Sequence, residues 1–395
     1  LNAGKKNGLG HLTRNIYLSD ELRSRNLKTQ FLIKADKTIF IKNFISKKKV
    51  NLNVRYINQY ITVEDELAII DEICSLENIK IVIIDHYDHN IRYLRSIKKN
   101  NVILVNFDIN KKRNYVSDLI INPNFGFNKN DYDEKVKDNA KLCIGKKYLI
   151  INPIINNKKF NKTKKENILI SFGGGKYPKK IVNLIDKITE NKHQKFIIIS
   201  SDYEISQIKK RNTKVYFGNL DYSKIFSSLK FAIVSGGVTS QELAYLRIPM
   251  LIYPYSKNHK ISTTGLINHR LAVKVTTHQL LNLNNFETKR FYHKFKIDNK
   301  GIKRISKKIS MAFISEYNID GERLILRPLK EKDTSSILKW RNDIDIRKWM
   351  INQDIISRES HLNWFKSKKN RFDFIIEEKV TNKPIGTLNL KLKSN

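Results

Sequence analysis

The feature that most constrains this chain is a unit it repeats: a short apolar β-branched run, a cluster of glycines, then a helical pattern. "NILIS" at 167–171 leads into Phe172-Gly173-Gly174-Gly175, and "FAIV" at 231–234 leads into Ser235-Gly236-Gly237-Val238-Thr239. Near the start, Gly8-Leu9-Gly10-His11 opens the pattern Leu12, Ile16, Leu18, Leu22. Parallel strands need a crossover between them, usually a helix, so this alternation predicts an α/β fold. Strands are expected at Thr29–Lys34, Ile79–Ile84, Asn101–Asn106 and Asp118–Ile121 in a first set. A second set is expected at Asn167–Ser171, Lys195–Ser200, Lys214–Phe217, Phe231–Val234 and Met250–Tyr253. A polar connection near 151–166 separates them, and a last helix, Ile302–Ser315, ends near Asp320-Gly321. Two open α/β halves, 1–150 and 151–318, follow from this pattern.

A different unit begins at Arg323. A strand in "RLILRPL" precedes a helix through Ser335–Arg341, and "FDFIIEEKVTNKPIGTLNLKL" reads as a hairpin around Asn382-Lys383-Pro384. This gives a third domain, 323–395. The chain starts without Met inside a loop and stops after the hairpin, so it reads as a fragment whose first strand lies before Asn2.

Composition narrows the function classes. Of 395 residues, 75 are Lys or Arg and 38 Asp or Glu, a formal net charge of +37. Clustered cations would suggest a nucleic-acid partner. The charge is spread instead: Glu322–Asn395 holds 17 basic against 10 acidic residues, close to the density of the whole chain. Nucleic acid is therefore not the expected partner. A hydrophobic content of 40% excludes a wholly disordered chain. No apolar run nears the roughly 18 to 20 residues that span a bilayer, and no secretory signal is present, so no membrane partner is expected. Cys74 and Cys143 form neither a disulfide framework nor a zinc-ligand spacing. A reduced, cytoplasmic protein is expected.

The glycine turns carry the candidate chemistry. Gly8 and Gly10 permit close approach of backbone to a ligand, and the helix behind them offers unpaired N–H groups to a diphosphate or sugar oxyanion. His11 stands there as a candidate to accept a proton near pH 7. The alternative is an ordinary glycine turn with an incidental histidine. Arg14, further along the same stretch, is a substrate-binding candidate. Asp85-His86-Tyr87-Asp88 follows the strand "IVII", at the strand end where open α/β sheets bind ligands. Asp85 could orient His11, hold a sugar hydroxyl, or merely cap the next helix. In the second half, Gly173 and Gly174 form one loop. Gly236, Gly237, Val238 and Thr239 form another, with backbone amides at a helix start, expected at Ser240. Glu242, expected in the first turn of that helix, could reach a ribose diol or simply complement the dipole. Together these loops favour a nucleotide-sugar cleft.

These residues resemble a family. "GLGHLTRNIYLSDELRSRN", "VIIDHY", "VSDLIINPN", "ILISFGGG" and "FAIVSGGVTSQELAYLRIPML" are similar to the UDP-sugar hydrolase of pseudaminic acid biosynthesis, a relative of the lipid II-forming N-acetylglucosaminyltransferase. The resemblance, over residues 1 to about 318, implies a GT-B architecture of two Rossmann-like domains facing a cleft. It implies hydrolysis of a UDP-linked diacetamido-trideoxy sugar to free sugar and UDP, with inversion and with no metal or cofactor. His11 matches the catalytic histidine, Gly236–Thr239 with Glu242 the UDP-binding segment, and Asp85-His86-Tyr87 the sugar-facing loop. Asn258 matches the first residue of an Asn-Gln pair, but His259 replaces the second. Lys176 stands where the family tends to carry a different residue and is a candidate diphosphate ligand. UDP is a good leaving group, so an activated water and charge stabilisation suffice, and a glycosidase-type carboxylate pair is not required. A UDP-sugar glycosyltransferase is the alternative enzyme reading.

Residues 323–395 resemble the start of a GNAT N-acetyltransferase, a partial α+β domain, on "LILRPLKEKD", "ILKWRND", "IRKWM", "IISRESHLNWF" and "PIGTLNL". Within that type they are most similar to the pseudaminic pathway's acetyltransferase, whose product is the hydrolase's substrate. The resemblance implies acetyl-CoA for a complete domain. The glycine loop that holds its pyrophosphate would follow the next strand, so acetylation by this segment alone is not expected. Trp340, Trp349 and Trp364 are expected in core packing.

Overall fold

The computed structural model describes residues 1–4, 8–35, 38–48, 50–86, 89–108, 115–133, 136, 140–156, 165–173, 176–200, 202–216, 222–254, 260–283, 297–368 and 371–391. The chain divides into two compact units, Leu1–Ile309 and Ser310–Asn395.

The first unit begins with helix α1 (Gly10–Arg23), strand β1 (Gln30–Ala35), α2 (Thr38–Lys47), β2 (Asn53–Asn58), α3 (Val63–Leu76), β3 (Ile81–Ile84) and α4 (Ile91–Lys98). Strands β4 (Ile103–Phe107), β5 (Leu119–Asn122) and β6 (Lys141–Ile144) follow. β1 and β2 form a parallel pair, and β3-β4-β5-β6 a parallel four-stranded sheet. Residues at the chain start lie along β1: Asn2 bridges Lys34 in parallel, and Ala3 N–H donates to the Lys34 carbonyl at 3.2 Å. β4 and β5 are buried at every residue, because helices cover both faces of a parallel sheet. β2 and β6 were not expected. β2 alternates exposed and covered residues, and β6 has only four residues.

The second set comprises β7 (Asn167–Ser171), β8 (Lys195–Ile199), β9 (Thr213–Tyr216), β10 (Leu229–Val234), β11 (Met250–Ile252) and β12 (Ala272–Lys274). Their spatial order is β12-β11-β10-β7-β8-β9, all parallel. Read from β9, this is the doubly wound order 3-2-1-4-5-6, which reverses between β7 and β10. The alternation along β7 feeds two cores. Leu169 packs with Ala232, Val234 and Leu266 on one face. Ile168 and Ile170 pack with Phe196, Ile198 and Ile233 on the other. Phe125 and Leu149 of the first half join the Leu169 core, so the two halves share apolar packing. The helix Gly301–Glu316 starts against the first half: Arg304 donates to the Lys147 carbonyl at 2.9 Å, and Arg25 to Ser306 Oγ at 3.0 Å.

The second unit is an antiparallel sheet, β13 (Ile319–Asp320), β14 (Leu324–Pro328), β15 (Arg371–Glu378) and β16 (Pro384–Lys391), in that order. Arg327 on β14 pairs with both oxygens of Asp333 at 2.7 and 2.8 Å and also with Glu377. The expectation of core packing for all three tryptophans is corrected: Trp349 is 82% exposed, while Trp340 and Trp364 are half-buried. Trp349 lies just past a four-residue helix, too short to bury a large ring against the sheet.

Gly265, in the helix Lys260–Asn268, marks a close backbone approach between the halves. A Cβ there would collide with the Gly126 nitrogen and the Phe125 carbonyl carbon. Backbone cannot rotate aside as a side chain can. Gly265→Ala is expected to cost at least ~2 kcal/mol in urea unfolding. An unchanged midpoint would refute this seam.

Candidate active site

The start of α1 is built to be open. Gly8 has φ of +73°, which lets the chain turn into the helix, and its backbone pairs in both directions with Gly4. Leu9, the capping residue, supplies no side-chain hydrogen bond, and the first turn has no acidic residue. The helix Val238–Tyr245 begins in the same way: Gly236 has φ of +95°, Gly237 caps with no side chain, and no carboxylate stands in the first turn. These two helix starts meet. A Cβ on Gly10 would lie 3.9 Å from Val238 Cγ2. Two positive helix ends from the two halves thus converge on one point.

Sheet topology explains why the second of these lies there. Ligands bind open α/β sheets where the strand order reverses, here between β7 and β10. Gly173, with φ of +108°, follows β7, and Ser235-Gly236-Gly237 follows β10. The Ser235 hydroxyl donates to the Phe172 carbonyl at 3.2 Å and ties the two turns together. Thr239 occupies the first turn of the helix Val238–Tyr245. Gly174, Tyr87 and Asn258 lie outside the described residues. Lys176 is 71% exposed and 3.9 Å from Glu204.

Immediately inside the α1 start is a buried polar cluster. Asp85, one residue beyond β3, is 1% exposed. Its Oδ1 meets His11 Nδ1 at 2.6 Å and also accepts from Arg14 Nη2. Its Oδ2 accepts from Arg14 Nε at 2.6 Å and from Asn15 Nδ2. These four contacts fill the acceptor capacity of a carboxylate. Burial opposes the charge on Asp85, but Arg14 and His11 outweigh it and hold the carboxyl well below the usual range. Helix geometry brings the three donors together, since positions 11, 14 and 15 share one face. Asn15 was not singled out from sequence; its spacing from His11 was the available signal. Asp85 does not cap α4, a role filled by Asn90. Arg14 also lies over the Phe107 ring at 4.6 Å.

His86 is buried beside His89 and Tyr93, with ring centroids 5.0 and 5.5 Å away. Burial, with neighbouring positive charge, holds its imidazole neutral. Beneath it, the Tyr93 hydroxyl donates to Glu66 at 2.8 Å, and Lys34 pairs with the same carboxylate at 2.7 Å. Across the seam, Gln241 donates to Asn124 Oδ1 at 2.9 Å; neither was anticipated.

Glu242 is corrected in position: its helix starts at Val238 rather than Ser240, so the carboxylate lies beyond the first turn. Complementing the dipole is therefore not its role, because that effect fades within one turn. It is 6% exposed, and among the described residues its carboxylate accepts no hydrogen bond. Burial raises its carboxyl to about 7, against the opposing pull of Lys48.

The comparisons with known proteins agree with this architecture. Residues 323–395 match the acetyltransferase (GNAT) domain family. The chain is similar to an uncharacterized protein of Methanocaldococcus jannaschii, 25% identical over 419 residues, covering 97% of this chain and 81% of that protein. It is also similar to solved structures at low identity. MurG of Acinetobacter baumannii superposes with a TM-score of 0.52 at 12% identity, covering 78% of this chain and 98% of that one. The MnaA–UDP co-structure of S. aureus gives 0.54 at 12% identity, covering 79% and 95%. UDP-GlcNAc 2-epimerase of M. jannaschii gives 0.51 at 13% identity, covering 78% and 98%. The chain thus has Rossmann-like parallel sheets of the GT-B kind followed by a GNAT domain with an antiparallel sheet.

That match implies acetyl-CoA. In the second unit, however, Gly321 stands before β14 and Gly386 inside β16. Neither opens a helix, so the described residues supply no amide cradle for a pyrophosphate, and no acetyl-transfer step is assigned to them. No described helix is long and apolar enough to cross a membrane.

Two pH responses follow. Asp85, depressed by its partners, stabilises the fold above the ordinary carboxylate pKa of about 4, and that contribution is lost as pH falls below it. Asp85→Asn should cost about 3 kcal/mol at pH 7 and flatten the acid limb of a urea series; an unaltered acid limb would contradict the cluster. Glu242 acts in the opposite sense: stability present below about pH 4.5 declines as pH rises through about 7. Glu242→Gln should therefore gain up to roughly 3 kcal/mol relative to wild type between pH 5 and pH 8. Equal midpoints at both pH values would remove the buried carboxylate from the account.

Proposed function

We propose that the first unit hydrolyses a UDP-linked diacetamido-trideoxy sugar to free sugar and UDP, as in pseudaminic acid biosynthesis. The observation that carries this reading is His11 Nδ1 at 2.6 Å from buried Asp85, at the point where two uncapped helix starts converge. Asp85 accepts the Nδ1 proton and places the ring's basic lone pair on Nε2. Nε2 takes a proton from water as the water oxygen attacks the anomeric carbon. The bond from that carbon to the phosphate oxygen breaks, and its electron pair leaves with UDP. Asp85 stabilises the imidazolium so formed, an orienting role without proton transfer to the carboxylate.

The two helix starts would stabilise the charge that gathers on the departing diphosphate. Gly8 and Gly10 bring one backbone close, and Gly236, Gly237, Val238 and Thr239 bring the other. Glu242 takes the ribose. The UDP-sugar chemistry named for the solved relatives supports this reading. In domain terms, 1–150 supplies the base, 151–318 holds the nucleotide, and 323–395 belongs to an acetyltransferase whose product is the hydrolase's substrate. Such consecutive steps on one chain support each other.

His11→Ala should lower kcat by about 10³-fold while leaving the Kd for UDP within roughly threefold. Incubation with the UDP-diacetamido sugar and no acceptor should yield free sugar, detected by NMR and mass spectrometry. Retained turnover in the variant would refute the base. Consumption of substrate only when a sugar or lipid acceptor is added would instead identify a transferase.

A further inference from the structure

Lys48 follows the end of α2 in the first half and is half-buried. Its ammonium sits 5.4 Å from the Phe44 ring centroid and 5.8 Å from that of Tyr222. Tyr222 opens the helix Tyr222–Ser227 of the second half, so this lysine reaches across the seam. Among the described residues its ammonium forms no ion pair and no hydrogen bond, although its backbone N–H donates to the Ile45 carbonyl at 2.9 Å. Burial depresses its pKa, and the charge of Glu242 opposes that shift. Tyr17 of α1 belongs to the same neighbourhood: burial raises its phenol, and the charge of Glu242 raises it further.

This arrangement is physically incomplete. A buried carboxylate without a donor and an ammonium without an acceptor sense each other's charge, yet stand too far apart to pair. Each pays desolvation without compensating hydrogen bonds. The other buried charges show the contrast, since Asp85 and Glu66 are both fully engaged. Support of the α2 dipole by a cation at its C-terminal end would not require the ammonium to lie over a ring from the opposite half.

We propose that Lys48 is a substrate-contacting residue contributed by the first half to the nucleoside site, where Lys48 and Glu242 together bridge a vicinal diol. One hydroxyl donates to Glu242, and its neighbour accepts from Lys48. Each unsatisfied group then gains its partner from a single ligand. The diol also links the halves, so nucleoside recognition requires both. This inference rests on the nucleotide reading given above.

The test is calorimetric titration of the whole chain with UDP and with 2′,3′-dideoxy-UDP. Wild type is expected to prefer UDP by about 10- to 100-fold, the range for leaving buried polar groups unpaired. Lys48→Met and Glu242→Gln should each shrink this preference to less than about fivefold, whereas Lys48→Arg should keep most of it. Circular dichroism checks folding, and Lys48→Gln is read if the Met variant is unfolded. Full preference in Lys48→Met, with loss only in Glu242→Gln, would overturn the role of Lys48 alone. Equal weakening of both ligands by Lys48→Met would also overturn it, indicating general electrostatics. No preference in wild type, or no UDP binding, would overturn the underlying nucleotide reading as well.

Discussion

Asp85 is the constraint on which the site depends. It is a nearly inaccessible carboxylate, and burying it alone would be prohibitive. Four contacts from one helix face make it tolerable: two from Arg14, one from Asn15 and one from His11. The same contacts fix α1 against the end of β3, and with it the glycine turn that opens the helix. The orientation of His11 is thus a consequence of solving a solvation problem. The imidazole cannot turn without leaving Asp85 short of a donor.

The second half contributes through topology. Its sheet reverses order between β7 and β10, which leaves a crevice at their carboxyl ends. Both glycine turns of that half sit on the crevice because each follows one of those strands. The seam between the halves is close-packed: Gly265 lies against the backbone at 125–126, and Gln241 bonds Asn124. Within that seam the charges are treated in two ways. The Asp85 cluster is saturated, which suits a fixed scaffold. Glu242 and Lys48 are desolvated and unpaired, which suits groups that complete their bonding with a ligand.

The second unit is governed by different physics. Its antiparallel strands pair by hairpin and meander, and Arg327 locks β14 to β15 through Glu377 while also clamping Asp333. Exposure of Trp349 shows that an aromatic residue in a helical pattern need not be core. This tryptophan lies in a turn just past the four-residue helix Ile344–Arg347.

Much of the fold was readable from residue pattern. Runs such as "NILIS" and "FAIV" are strands because β-branched side chains suit a pleated, buried position. β2, β6 and β12 escaped notice because they are short or partly exposed, and their stability comes from neighbours rather than from their own pattern. The sequence by itself determined the glycine turns, the parallel α/β class and the candidacy of His11, since these depend on local backbone freedom and hydrophobic period. Only the tertiary structure decided that His11 meets Asp85, that two helix starts from different halves converge, and that Lys48 reaches the Tyr222 ring of the other half. Those pairings join residues far apart in the chain, and no local propensity encodes them. They exist because the packing of the sheets brings distant residues together, and where it buries a charge such as Asp85 the donors it brings within reach make that burial tolerable.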